Sequence, residues 1–212
     1  MHIFFNTAFT LFGQSVSWDE VIGDITGLLS VWWVAKQNIW TWPIGLVNNV
    51  CFLLLFQHAK LFGNSLLQII FFVEGVYGWW VWQRGRTQGE QQEVIELPVR
   101  RPSGAEWIAL TVATAAFWPA SWALLKHYDD SSPALDSLTT ALSLVATYMQ
   151  AKKMIESWWL WIAVDAISIP LFWSQGLKLT AALFGVFMAV CVVGLLHWQR
   201  SYTAERREVA PV

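Results

Sequence analysis

Charge is what this 212-residue sequence has little of. Asp, Glu, Lys and Arg make up 13% of it, about half the usual share of a soluble domain. At 56% hydrophobic residues, with 16 Trp and 13 Phe, a soluble fold of this size could not hide its apolar surface. An integral membrane protein is the class that remains. The net charge of −2 provides no field to draw in nucleic acid or an anionic surface. Cysteine is scarce as well: Cys51 and Cys191 each lie within an apolar run, which argues against a disulfide framework. No His, Cys, Asp or Glu spacing suits a metal, no Gly-rich loop suits a phosphate, and no nucleophile has a base beside it, so an enzyme finds no support and no cofactor is expected. Without an ATP-binding motif, primary active transport by this chain alone is excluded. No Lys or Arg precedes Lys36, unlike a cleavable signal peptide.

What is there is a series of seven apolar stretches, roughly 19–36, 42–58, 64–84, 105–126, 134–151, 157–175 and 178–199. Each reaches at least the low end of spanning length. The segment 1–18 carries a helical stripe (Phe4, Phe5, Ala8, Phe9, Leu11 and Phe12) too short to span; a short helix in the interface, or a loose end, is expected there. The polar segment 85–104 reads as a solvated cytoplasmic loop, and 200–212 as a cytoplasmic tail. With the N-terminus outside, inner segments hold ten cations (Lys36, Arg84, Arg86, Arg100, Arg101, Lys152, Lys153, Arg200, Arg206 and Arg207) and outer segments three (Lys60, Lys126 and Lys178). The positive-inside rule then favours N-out, C-in. Trp18, Trp42, Trp82, Trp107, Trp158 and Trp198 stand at span ends, where an interfacial aromatic belt is expected.

The sixth stretch carries the clearest chemical signal. Trp158, Trp161, Asp165, Ser168, Phe172 and Gln175 recur at steps of three and four and so share one helical face. Asp165 lies about 10 Å in from Trp158 at 1.5 Å per residue. A carboxylate there costs about 2.5–3.5 kcal/mol on insertion scales and faces a bundle interior or an aqueous path.

The chain also repeats itself. Shifted by 113 residues, Gly23, Gly27, Ser30, Val34 and Gln37 fall on Asp136, Thr140, Ser143, Thr147 and Gln150; shifted by 117, Asn48 falls on Asp165. The expected architecture is all-α: a three-helix repeat over 19–84, a connector helix over 105–126 and a second, parallel three-helix repeat over 134–199, a 3+1+3 arrangement of seven transmembrane helices. Substrate sites in such proteins lie near the midplane between repeats.

Three segments, WPIGLVNNVCFLLLFQ, LLQIIFFVEGVYGWWVW and WWLWIAVDAISIPLFWSQG, resemble the PnuC-type nicotinamide riboside transporters. Gln68, Tyr77, Gly78 and Trp79 are distinctive, and Trp158-x-x-Trp161-x-x-x-Asp165 matches that family's tryptophan motif ending in Asn or Asp. In the first half Thr41 and Ile44 stand where the tryptophans would fall, with Asn48 in place. The resemblance covers about Ile22 to Trp198. It implies a fold like that of the SWEET sugar carriers. It also implies uptake of nicotinamide riboside, a vitamin B3 precursor, across the bacterial inner membrane by facilitated diffusion, with a cytoplasmic riboside kinase trapping the product. Carriers of this fold also allow a homo-oligomer.

The residue types suit such a ligand. Nicotinamide riboside is a flat pyridinium cation with an amide and a ribose, and a desolvated cation over a Trp face gains about 2 kcal/mol. Trp161, Trp158 and Trp79 are candidates to stack, with interfacial anchoring as the alternative. Asp165 can balance the charge, or hold helices together as a hydrogen-bonded carboxyl. Glu74 is the other central acid, offset from the Gln68, Phe72, Gly75 and Trp79 face. Asn48, Asn49, Gln57 and Gln68 can meet ribose and amide groups, or serve as interhelical glue; Asn48 and Gln57 point to opposite sides of a straight helix. Ser143 and Thr147, with Gln150, form a polar stripe on the fifth span. Gly23 and Gly27 allow close helix approach. Two other transport substrates, thiamine and riboflavin, fit the same scaffold, and an accessory membrane subunit is the alternative of a different class.

Overall fold

The computed structural model describes residues 7–11, 14–58, 62–85, 87–88, 94–95, 97–127, 132–176 and 178–209. The chain divides into two compact units, 1–83 and 84–212. Seven helices are present among the described residues, where seven spans are expected.

The first unit opens with two short strands, β1 (Thr7–Leu11) and β2 (Gln14–Ser17), followed by α1 (Trp18–Ala35), α2 (Thr41–His58) and α3 (Phe62–Arg84). The strands pair antiparallel, Thr7 opposite Ser17 and Leu11 opposite Gln14. This corrects the helical reading of the stripe; residues 2–6 and 12 of that stripe lie outside the described residues. The strands include Thr7, Phe9, Thr10 and Val16, types that fit a pleated surface. Its apolar residues could satisfy a helical period without the chain adopting one.

The second unit contains a two-residue strand pair, β3 (Thr87–Gln88) with β4 (Val94–Ile95), then α4 (Gly104–His127), α5 (Pro133–Ala151), α6 (Ser157–Ser174) and α7 (Lys178–Val209). The segment expected as a solvated loop is in part docked. Arg100 N donates to Lys153 O and Ile155 N donates to Arg100 O, both at 3.0 Å, and Val99 is buried. Ser103 and Glu106 form a capping box on α4, with Ser103 N donating to Glu106 Oε2 at 2.8 Å and Glu106 N to Ser103 Oγ at 3.3 Å. The same carboxylate holds Arg100 through two bonds of 2.7 and 2.8 Å. The tail expected over 200–212 continues α7 as helix to Val209. No proline interrupts 178–209, and Arg206 and Arg207 in its last turn complement the helix dipole.

Three helices among the described residues are long and apolar enough to cross a membrane: Ser65–Arg84, Gly104–Lys126 and Lys178–Arg207, with shorter apolar helices over Val21–Ala35 and Thr41–Gln57. Large apolar side chains such as Ile108, Val112, Trp159 and Trp173 stand open on the surface, as lipid contact requires and water does not permit at this density. The protein is a multi-pass membrane protein.

The two units share one local architecture at a constant offset. Helix α2 begins at Thr41 and α6 at Ser157, 116 residues later (157 − 41), and α3 and α7 begin at Phe62 and Lys178, again 116 apart (178 − 62). The corner before α2 matches the corner before α6 bond for bond. Gln37 (φ 56°) and Lys153 (φ 49°) are the two non-glycine residues in the left-handed region among the described residues. Gln37 N donates to Val34 O and Lys153 N to Gln150 O; Asn38 N donates to Trp33 O and Met154 N to Met149 O, all at 2.9 Å.

Beyond the corner the match continues into packing. Trp42 meets Trp82 edge-on at 5.5 Å and 85°, and Trp158 meets Trp198 at 5.5 Å and 89°. Each first indole of the pair lies over a glycine: Gly78 of α3 for Trp42, Gly194 of α7 for Trp158. These contacts fix a single offset, which corrects the shifts of 113 and 117. At 116, Gln37 corresponds to Lys153, Asn49 to Asp165, and Trp42 to Trp158. The first-half motif therefore reads Trp42-x-x-Gly45-x-x-x-Asn49. It keeps its first tryptophan and its terminal amide and lacks the middle ring.

The same contacts revise the aromatic belt. Trp42, Trp82, Trp158 and Trp198 are buried, whereas Trp18 and Trp107 are exposed. Two glycines provide the flat seats that bring these large rings inside.

Candidate functional site

The sequence-derived residues separate into three groups. In the first, a side chain is already used for packing. Asn48, half-buried, donates from Nδ2 to Gly23 O at 2.6 Å and to Thr26 Oγ1 at 3.3 Å, so it ties α2 to α1. A Cβ at Gly23 would lie 2.9 Å from the Phe52 ring, consistent with close approach there. Trp158 is fully buried beneath Gly194 and Trp198. Thr147 Oγ1 donates to Ser143 O at 2.9 Å within α5.

The second group is spread over several helices. Gln57, Phe72 and Gln175 are exposed, and Gln68 and Trp79 are half-buried on α3. Asn49 is half-buried on α2. Gln150 and Ser143 are buried on α5.

The third group lies along α6, where steps of three and four bury Trp158, Asp165, Ser168 and Leu171 on one side of the helix. Asp165 is 3% exposed. The Cys191 thiol of α7 bonds its carboxylate, and Oδ2 has no partner among the described residues. Trp161, half-buried, holds its indole N–H out of contact with any described acceptor. Thus the structure brings Asp165 and Trp161 onto one inward-facing strip of α6, beside Ser168. Glu74 on α3 resembles Asp165 in one respect: its Oε2 is buried without a partner.

Sequence reasoning passed over Ser157. It sits at the first position of α6, fully buried, and its Oγ has no described partner. Its spacing of four from Trp161 and eight from Asp165 was the available signal. Gly45, the counterpart of Trp161, was also missed; a Cβ there would lie 3.1 Å from Ser30 Oγ.

In chemical terms α6 presents a carboxylate acceptor, an indole face with a free N–H, and hydroxyls, inside an apolar bundle. Such a set orients a small planar ligand with polar substituents. No group of three or more His, Cys, Asp or Glu among the described residues can hold a metal ion.

Residues 17–200 match the model of the family described as nicotinamide mononucleotide transporter. The riboflavin/roseoflavin transporter RibM of Streptomyces davaonensis is 29% identical over 207 residues, covering 97% of this chain and 94% of that protein. The nicotinamide riboside transporter PnuC of Escherichia coli is 28% identical over 212 residues, covering 89% of this chain and 88% of that one. The crystal structure of the vitamin B3 transporter PnuC superposes with a TM-score of 0.70 at 23% identity, covering 88% of this chain and 83% of that one; the likeness establishes the fold. The chain belongs to the nicotinamide mononucleotide transporter family, a family of membrane transporters and not of enzymes.

Proposed function

We propose that this member of the nicotinamide mononucleotide transporter family takes up nicotinamide riboside by facilitated diffusion across the bacterial inner membrane. In this reading the chain is N-out and C-in, with two parallel three-helix repeats joined by α4, and a cytoplasmic riboside kinase traps the product. The observation that carries the reading is Asp165, a carboxylate 3% exposed with one oxygen unpartnered, one turn from Trp161. A cationic pyridinium supplies the missing counter-charge, and the indole supplies a face worth about 2 kcal/mol to a desolvated cation. Ser168 and Trp161 line the strip with Asp165, and Asn49 is the matching amide of the first repeat. Asn48 and Trp158 act as packing residues. Gln57, Gln68, Phe72, Trp79, Ser143, Thr147 and Gln175 are assigned to the path, not to the strip.

A second reading, riboflavin, is favoured by one observation. The riboflavin/roseoflavin transporter RibM is 29% identical over 97% of this chain, so a ribityl-bearing fused ring system is the alternative cargo for the same α6 strip.

Calorimetric titration of nicotinamide riboside, riboflavin and thiamine into purified protein decides between them. Binding of nicotinamide riboside alone is expected, and binding of riboflavin alone would replace the first reading with the second. Uptake into proteoliposomes without proton or sodium gradients tests facilitated diffusion; collapse of initial uptake when either gradient is removed would refute it.

A further inference from the structure

Four buried polar atoms on α6 lack a hydrogen-bond partner among the described residues: Ser157 Oγ, Trp158 Nε1, Trp161 Nε1 and Asp165 Oδ2. Trp158 Nε1 shares this with Trp42 Nε1, its counterpart in the first unit; the other three follow one another at steps of four residues and have no such counterpart. Steps of four residues raise each by about 6 Å along the axis and turn it by about 40°, so the three form a strip on one side of the helix. Ser157 is wholly buried and Asp165 nearly so, at 0% and 3% exposure.

The first unit shows how these positions look when their role is structural. The counterpart of Ser157 is Thr41, whose Oγ1 donates to Ser30 O at 2.8 Å, while Ser30 Oγ donates to Thr41 O at 3.0 Å. The counterpart of Trp161 is Gly45, seated against Ser30. In the second unit Ser30 is replaced by Ala146, which has no hydroxyl, and the reciprocal pair is gone. A buried polar atom left unbonded lowers stability. Apolar side chains would serve a purely structural role better.

We propose that Ser157, Trp161 and Asp165 form a hydroxyl-reading ladder for the polyhydroxylated substituent of the substrate, a ribose or a ribityl chain. Trp161 Nε1 donates to a hydroxyl, Asp165 Oδ2 accepts from one, and Ser157 Oγ does either. Ser157 thereby becomes a specificity-determining residue, and the first unit's equivalent corner serves as a closed structural clamp. The inference rests on the functional reading above in that the substrate carries such a substituent on a heteroaromatic ring.

The test uses the full chain and two ligand pairs, nicotinamide riboside against nicotinamide and riboflavin against lumichrome. Ser157→Ala is expected to weaken the hydroxylated member that the wild type binds by about tenfold. It should leave the hydroxyl-free member unchanged and leave the unfolding temperature equal or higher. Trp161→Phe keeps a ring and loses the N–H, and should likewise penalise the hydroxylated member more. Thr41→Ala, at the clamp, should lower the unfolding temperature and leave affinity unaltered. If Ser157→Ala lowers the unfolding temperature with binding untouched, or weakens both members of a pair equally, the ladder is refuted while the transport reading stands. If the wild type binds neither hydroxylated ligand, the functional reading falls and the ladder falls with it.

Discussion

Gly194→Ala is the substitution whose outcome the structure determines most directly. An added Cβ would lie 2.6 and 2.7 Å from Cζ2 and Cζ3 of Trp158, and closer still to Cη2, against an optimal carbon separation of about 3.5–4.0 Å. The ring must retreat by about 1 Å. It has nowhere easy to go, because Trp158 is fully buried and stands edge-on against Trp198. Overpacking of this kind costs about 1–3 kcal/mol, and Ala in a helix recovers about 0.5–1 kcal/mol relative to Gly. A net loss of up to about 2.5 kcal/mol follows. Gly185 lies on the same helix with nothing within 4 Å of a built Cβ, so Gly185→Ala should gain about 0.5–1 kcal/mol. Thermal unfolding of the two variants in one detergent therefore moves in opposite directions, by several degrees in total at about 2–4 °C per kcal/mol. Trp158→Phe in the Gly194→Ala background should restore part of the loss, with a coupling of about 1 kcal/mol. If Gly194→Ala proves as stable as Gly185→Ala, the ring-on-glycine seat is not what limits this position, and the reading of its first-repeat equivalent, Trp42 on Gly78, fails with it.

Asn48→Ala should reduce stability by about 1 kcal/mol through loss of its bond to Gly23 O and leave ligand affinity intact, whereas Asn49→Ala should do the reverse; titration and unfolding of both variants check the exchange of roles. Asp165→Asn should weaken nicotinamide riboside more than the neutral reduced riboside, and equal losses on calorimetric titration would remove the counter-charge role. A reporter fused after Val212 should be active only on the cytoplasmic side, and periplasmic activity would overturn the orientation.

The seven helices were legible because the stretches 19–36 through 178–199 are long apolar runs, and three of the helices are long and apolar enough to cross a membrane. The repeat was legible in outline and misplaced by up to three residues, for a physical reason. Aligning residues by type mixes unlike roles: Gln37 sits in the left-handed corner before α2, whereas Gln150, its partner at a shift of 113, lies within α5. The residues that fix the offset are the bulky ones and their seats. Trp42, Gly78 and Trp82 recur as Trp158, Gly194 and Trp198, at intervals of 36 and 4 in both halves. That pattern was present in the sequence, but tryptophans at span ends are ordinarily explained by the interface, which hid it. The strand pair Thr7–Leu11 and Gln14–Ser17 was obscured by apolar residues that fit two periods. The orphaned atoms of α6 were not legible at all, because whether Ser157 Oγ has a partner depends on Ala146 standing where Ser30 stands in the first unit.

The two units thus have matching corner and packing geometry and unlike polar chemistry. In the first, Ser30 and Thr41 satisfy each other and Asn48 ties α2 to α1. In the second, the equivalent corner is held from outside by Arg100 through backbone bonds to Lys153 and Ile155, and the polar atoms beyond it are left without described partners. A ligand bound along α6 would therefore supply to the second unit what the hydroxyl pair supplies to the first. Its binding adds stability by mass action, about 2.7 kcal/mol at a hundredfold excess over Kd. The loaded and empty carrier then differ in the firmness of the α6 seam. On the facilitated-diffusion reading proposed above that difference has to be modest, and a few hydroxyl bonds and one indole face would keep it within the range of weak, reversible binding.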